Sequence, residues 1–237
     1  MKIVEAFSKF AYEYNRYNVI QKEVAKRVTS YVTKTDYKSI LDLGAGDGEI
    51  YRNLIKRGIS VDKFVAFDFS QKMLALHPTN SSIKKICLDF NQKESFSIFQ
   101  AQKFDLLISS SALQWSQNLE ATLKEISKLS NEYYFSFFTS NTFKALHETA
   151  NIDSPIYSKE KITLALDKFF IYDEEVIEYQ LSFNSVYEML RYIQRSGVNG
   201  GTKQLSYKDM KLLMKNYPLN YLEFEVLFVK VKKVLDS

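Results

Sequence analysis

Three glycines and a series of aspartates carry most of the chemistry this sequence could do. Gly44, Gly46 and Gly48 stand in "LDLGAGDG", with Asp42 just before them and Asp47 among them, between an apolar run and a segment of helical spacing. A glycine loop that leaves a strand and opens a helix lets a ligand approach the backbone closely. Its spacing is GxGxG, not the GxGxxG that aims a helix N-terminus at an anionic pyrophosphate, and two acids in or beside it suit a ligand with ammonium and sulfonium charges. Asp68 closes the next apolar run, 20 residues after Gly48, where a carboxylate can accept both hydroxyls of a ribose. Asp89 closes a third run, placed to take an adenine amino group with Phe90 against the ring. Phe69 and Ser109, at the ends of two of the apolar runs, are counted with these binding residues. The plainer alternative is that the glycines serve a tight turn and that Asp68 and Asp89 are turn or helix caps. Asp42 is expected to act through loop geometry and electrostatics and not as a catalytic base.

These residues need a scaffold that brings strand ends together. Short apolar runs at 39–43, 63–68, 85–90, 104–109 and 133–139 alternate with helical segments, the pattern of βαβ units around a parallel sheet covered on both faces. Residues 7–33 have helical spacing and lead into the first run. After 139 the alternation stops: 141–216 reads mostly as helices, at about 141–150, 158–168, 184–195 and 206–216, with one strand-like piece at 174–183. The run 222–231 alternates and follows Tyr217-Pro218, which predicts a closing strand near the sheet edge. The expected organisation is a core of 1–140 and 217–237 interrupted by a mostly helical insertion, 141–216.

Composition excludes several function classes. Net charge is +4 with 25% charged residues, far from the single-sign excess of a nucleic-acid-binding protein. No Asn-Pro-Pro-Tyr-type signature for flipped-base chemistry occurs. Cys87 is the only cysteine, so neither an intramolecular disulfide nor a cysteine-rich zinc site can form, and no metal is expected. The N-terminal stretch lacks the apolar core of a signal peptide, and no apolar run reaches the roughly 18 residues that span a bilayer, which predicts a cytoplasmic protein. The 18 Phe and 16 Tyr fit a core or an apolar cavity equally well. Only His77 and His147 are available as imidazole bases. His77 is expected at a helix C-terminus as a solvated cation, and His147 as a partly buried surface residue. That scarcity fits an acceptor that is already anionic.

The series "LDLGAGDG", "FVAFDFS" and "CLDF" resembles the class I S-adenosylmethionine-dependent methyltransferases. The segments "FSKFAYEYNRYNVIQKEVAKRV", "SSSALQWSQNL", "NTFKAL", "SFNSVYEMLRYIQRSGVNGG", "LSYKDM" and "YPLNYLEFEVLFV" extend the resemblance, nearly end to end, to the malonyl-acyl-carrier-protein O-methyltransferases of biotin synthesis (the BioC family). The resemblance implies a Rossmann-like α/β fold: a mostly parallel seven-stranded sheet with an antiparallel last strand and a helical lid. It implies S-adenosylmethionine as cofactor and the free carboxylate of malonyl-acyl carrier protein as acceptor; the ester would disguise the charged end, which does not enter an apolar acyl pocket cheaply while ionised. By the same resemblance Tyr14 closes over cofactor or acceptor, and Gln114 and Trp115 border the methyl-transfer site; core packing is the plainer alternative for Tyr14 and Trp115. Arg191 is the first choice to grip the acceptor carboxylate, because a guanidinium can do so bidentately.

Acyl carrier proteins are acidic, and a basic face including Arg195, Lys208 and Lys211 is expected to dock the carrier; no nucleic acid or membrane partner is expected. Two departures from the family pattern, Asn141 in place of a glycine and Ser111 in place of an asparagine, leave room for another carboxylate or hydroxyl acceptor. A non-catalytic cofactor-binding subunit is the remaining alternative.

Overall fold

The structure, a computed structural model, describes residues 17–99, 102–196 and 207–235. It is ordered as α1 (Val19–Ser30), β1 (Asp36–Leu43), α2 (Glu49–Lys56), β2 (Ser60–Asp68), α3 (Gln71–Leu76), β3 (Ile83–Cys87), a 3₁₀ segment (Lys93–Phe99), β4 (Leu106–Ser110), a 3₁₀ turn (Leu113–Trp115), α4 (Leu119–Ile126), β5 (Tyr133–Phe138), α5 (Lys144–Ala150), α6 (Lys159–Leu166), β6 (Phe170–Ser182), α7 (Val186–Ser196), α8 (Tyr207–Asn216) and β7 (Tyr221–Val234).

The strands form one seven-stranded sheet in the order β3-β2-β1-β4-β5-β7-β6. Strands β1 to β5 pair in parallel, and β7 pairs antiparallel with both β5 and β6. The expected mostly parallel sheet with an antiparallel last strand is therefore the one that forms. The far side of the sheet adds detail to the expectation. The closing run pairs on both sides, with β5 and β6, and so lies one strand in from the edge, in the region the sequence predicts. The strand-like piece near 174–183 extends over Phe170–Ser182 and becomes the edge, so the stretch 141–216 contributes a full strand to the main sheet as well as its helices.

Alternation along the central strands divides the core in two. Ile40, Leu106, Ile108, Tyr134 and Phe224 face a layer with Val24 and Val28 of α1 and Leu54 of α2. Leu41, Leu107, Phe135, Leu227 and Val229 face the other, with Leu123 of α4 and Ile162 and Leu166 of α6. Burial on both sides is what near-continuous apolar strands require. The edge strand β6 alternates half-buried with exposed residues instead, as one covered face predicts. Among the described residues no helix is long and apolar enough to cross a membrane.

The helix starts place the site's loops. Ser70 caps α3 by accepting the Met73 N–H, and Asn118 caps α4 by accepting that of Ala121. Asn18 precedes α1 in the cap position but makes no capping bond.

Candidate active site

A cleft opens at the carboxyl ends of β1 and β4, the neighbours at which the strand order reverses and where open α/β sheets bind ligands. Its wall takes Asn18 just before α1, Gln21 and Lys22 from α1, Gly44 to Asp47 from the loop after β1, Asp68 and Phe69 from the end of β2, Phe90, and Ser110 to Ala112 with Trp115 after β4.

The three loop glycines have φ of +81, +54 and +90 degrees. A β-carbon on Gly44 would stand 2.2 Å from Ala112 Cβ, and one on Gly48 would stand 2.6 Å from Pro78 Cδ and 2.7 Å from His77 Cδ2. Two of the three glycines thus make room for the protein's own turns, while Gly46, whose nearest neighbour is Met73 at 3.6 Å, leaves space on the cleft side.

Asp68 sits where the sequence predicts, at the end of β2 in the cleft wall. One carboxylate oxygen accepts the Gly46 N–H at 2.9 Å and the other that of Ser70 at 2.7 Å. Each oxygen retains a lone pair for one further donor, the arrangement a pair of vicinal hydroxyls would use. Burial pushes its pKa up to about 6, opposed by those two backbone donors. Asp42 is wholly buried behind the wall, with neither oxygen partnered among the described residues, and burial with the nearby Asp68 and Asp47 raises it well above the ordinary carboxylate range. It lies behind the cleft surface and is not among the residues that line it. Asp47 lines the cleft and pairs with Arg52 at 2.9 Å; burial raises its pKa and Arg52 opposes the rise.

Phe69, Phe90 and Trp115 join the wall, and Phe90 and Trp115 are buried. Asp89 does not: its carboxylate accepts the Asn91 N–H at 2.9 Å, closing a turn after β3. Ser109 is fully buried and donates to the Leu43 carbonyl at 2.6 Å, tying β4 to β1 behind the wall instead of lining it. Gln114 is buried outside the wall; its Nε2 donates to the Ser111 carbonyl at 2.7 Å, and its Oε1 is unpartnered. Arg191 is not brought to the cleft. Met189, Tyr192 and Ile193 fill the inward face of α7, which turns residue 191 to the exposed side. Tyr14 lies outside the described residues, as do the side chains of Arg195 and Lys208; Lys211 is exposed on α8.

His77 ends α3 as expected, but it is not the solvated cation the sequence suggests. It is 2% exposed, its Nδ1 lies 2.9 Å from the Pro78 carbonyl, and burial pulls its pKa down to about 4, so it is a neutral packing residue under Gly48. His147 is partly buried, and burial lowers its pKa as well.

Sequence reasoning missed Asn18, Gln21 and Lys22. Their signal was present in the spacing of i, i+3 and i+4 on a helix leading into the first strand, but nothing in the sequence says which face of that helix meets the loop. Asn18 is 1% exposed, and its Oδ1 and the Gln21 Oε1 are enclosed without partners among the described residues. These amides and the Asp47 side suit a zwitterionic amino-acid group. Among the described residues no group of three or more His, Cys, Asp or Glu side chains could hold a metal ion.

A family model described as a methyltransferase domain matches residues 34–194. The chain is similar to a malonyl-[acyl-carrier protein] O-methyltransferase of Bacillus cereus, at 26% identity over 219 residues, 83% of this chain and 80% of that one. It is also similar to an enzyme of the same name from Neorickettsia risticii, at 25% identity over 242 residues, 96% of this chain and 94% of that one. Among solved structures, a putative methyltransferase from Bacillus halodurans superposes with a TM-score of 0.63 at 12% identity, covering 88% of this chain and 98% of that one. With the glycine loop and Asp68 inside the matched stretch, the chain belongs to the methyltransferase domain family.

Proposed function

We propose that the chain transfers a methyl group from S-adenosylmethionine to the free carboxylate of malonyl-acyl carrier protein, an early step in building the pimeloyl chain of biotin, in the cytoplasm. The observation that carries this reading is the similarity along nearly the whole chain to enzymes of that name; the cleft geometry supports it. When bound, the cofactor supplies a methyl group on a positively charged sulfur that departs as a neutral thioether.

The residues divide the work. Asp68 accepts the ribose hydroxyls, Phe90 lies along the adenine and Asp89 takes the adenine amino group from its turn. Asn18 and Gln21 hold the amino-acid end beside Asp47, with Asp42 setting the field beneath the loop. Trp115 shields the transfer point, and exclusion of water there strengthens the attraction between the acceptor anion and the sulfonium. The acceptor oxygen is itself the nucleophile, so no base is needed, and positioning supplies most of the rate. Lys22 is the cation in the described wall, and Tyr14 and Arg191 complete the acceptor end if the helical segments close over it. The carrier docks on Arg195, Lys208 and Lys211.

The test is transfer from labelled S-adenosylmethionine to malonyl-acyl carrier protein, beside acetyl-acyl carrier protein and free malonate, with the product checked for a base-labile ester. Labelling of the malonyl carrier alone is the expected result. Labelling of free malonate at an equal rate would replace the carrier-bound acceptor with a small carboxylate. Cofactor binding with no transfer to any of the three would reject this acceptor.

A further inference from the structure

The turn that follows β4 holds a serine in a conformation a serine does not favour. Ser111 has φ of +55 degrees, in the left-handed region where a β-carbon crowds the following carbonyl and where glycine would sit without strain. Strain of this kind at a cleft marks a side chain worth explaining.

Both sides of the residue are tied down. Its N–H donates to the Ser136 carbonyl at 3.0 Å, continuing the pairing of β4 with β5, and its own carbonyl accepts the Gln114 Nε2 at 2.7 Å. The next residue, Ala112, packs against Gly44 closely enough to forbid a β-carbon there. Ser111 is therefore fixed against the glycine loop, on the cleft wall. Its hydroxyl is enclosed and has no hydrogen-bond partner among the described residues. A buried hydroxyl without a partner is costly, and a ligand that supplies one removes the cost.

We infer that the Ser111 hydroxyl orients the acceptor, donating a hydrogen bond to the anionic oxygen group that receives the methyl, and that Gln114 is a positioning residue that holds the strained turn. The inference rests on the methyl-transfer reading above and adds a residue which that reading does not use. The acceptor class is a carboxylate or other anionic oxygen, which the methyl-transfer reading supplies and to which the hydroxyl can donate a hydrogen bond. One acceptor oxygen forms the C–O bond while the C–S bond breaks with both electrons going to sulfur. The hydroxyl keeps its proton and bonds the partner oxygen, so no proton changes hands.

The test uses the full chain with Ser111→Gly, Ser111→Ala, Ser111→Asn and Gln114→Ala. Affinity for S-adenosylhomocysteine, thermal midpoint, and kcat and KM on malonyl-acyl carrier protein, malonyl-CoA and free malonate are measured for each. Ser111→Gly relieves the backbone strain, so its midpoint should equal or exceed that of the parent, yet its kcat/KM should fall about ten-fold or more while cofactor affinity stays within about two-fold. Asparagine tolerates the left-handed region and carries a donor, so Ser111→Asn should recover most of the loss. Gln114→Ala should lower kcat/KM less than Ser111→Gly does.

A Ser111→Gly variant with the parent's kcat/KM overturns the inference and leaves the methyl-transfer reading standing. A loss of cofactor affinity that tracks the loss of activity also overturns it, assigning the residue to the loop. A parent chain that binds S-adenosylhomocysteine but methylates none of the three acceptors overturns the reading and the inference together.

Discussion

The cleft around the glycine loop and the helices that follow β5 are built in different ways. In the cleft, Asp68 is pinned by backbone donors from Gly46 and Ser70, and Gly44 and Gly48 meet neighbouring turns with no room for a β-carbon. After β5, amphipathic helices present one face to the core, as α7 does with Met189, Tyr192 and Ile193, and leave charged side chains such as Arg191 and Lys211 exposed. The first region is set by backbone geometry and tolerates almost no change. The second is set by apolar packing, and its polar surface is free to vary. Substitutions should therefore act on stability and cofactor affinity in one region and on acceptor kinetics in the other.

The largest effect is expected at Gly44. Gly44→Ala combines a left-handed backbone with a clash against Ala112 and should destabilise the fold by about 3 kcal/mol or more, read from denaturant midpoints. A stable Gly44→Ala chain would show that the loop yields, and the contrast between the regions would fail. Next is Asp68→Asn, which removes the acceptor for one hydroxyl and should weaken S-adenosylhomocysteine binding about 100-fold by calorimetry, with the fold retained. Unchanged affinity would discredit the ribose assignment.

The pH dependence sharpens the same side. The folded pKa of Asp68, about 6, lies above its ordinary 3.8, so protonation favours the unliganded fold. Asp68 thus contributes stability that is full below pH 3.8 and is lost as pH rises through about 6, and Asp42 and Asp47, also raised by burial, act in the same direction. Cofactor hydroxyls prefer the charged form, so affinity should rise as pH passes about 6, by up to about ten-fold per pH unit below that value. In Asp68→Asn this part of the profile should flatten. The smallest effect belongs to the helices after β5. Replacing Lys208 and Lys211 together by Glu should raise KM for the carrier substrate about five-fold at low salt, with cofactor affinity unchanged. Equal KM values for variant and parent would remove that face as the dock.

The same contrast explains what could be read before the structure. Asp68 and the glycine loop were legible because strand, turn and helix are contiguous and each residue type answers a local constraint. Ser111 was visible only as a departure from a pattern, and its strained backbone and enclosed hydroxyl arise from Ser136, Gln114 and Gly44 together. His77 looked like a solvated cation because it ends a helix, where a solvated charge is the usual occupant. Its surroundings in space are Tyr51, Phe64 and Gly48 and not solvent.

By itself the sequence determined that this is an α/β chain whose strands alternate with helices up to 139. It also determined that a glycine loop opens after the first strand and that an acid ends the second, because hydrophobic period and turn chemistry are properties of neighbouring residues. Only the tertiary structure decided that β7 runs inside the sheet and that β6 forms its edge. It alone turned Asn18 and Gln21 toward the cleft and Arg191 away from it, and it left Asp42 and the Ser111 hydroxyl enclosed without partners. The physical reason is that burial, facing and pKa depend on which distant segments pack together, and no local pattern carries that information.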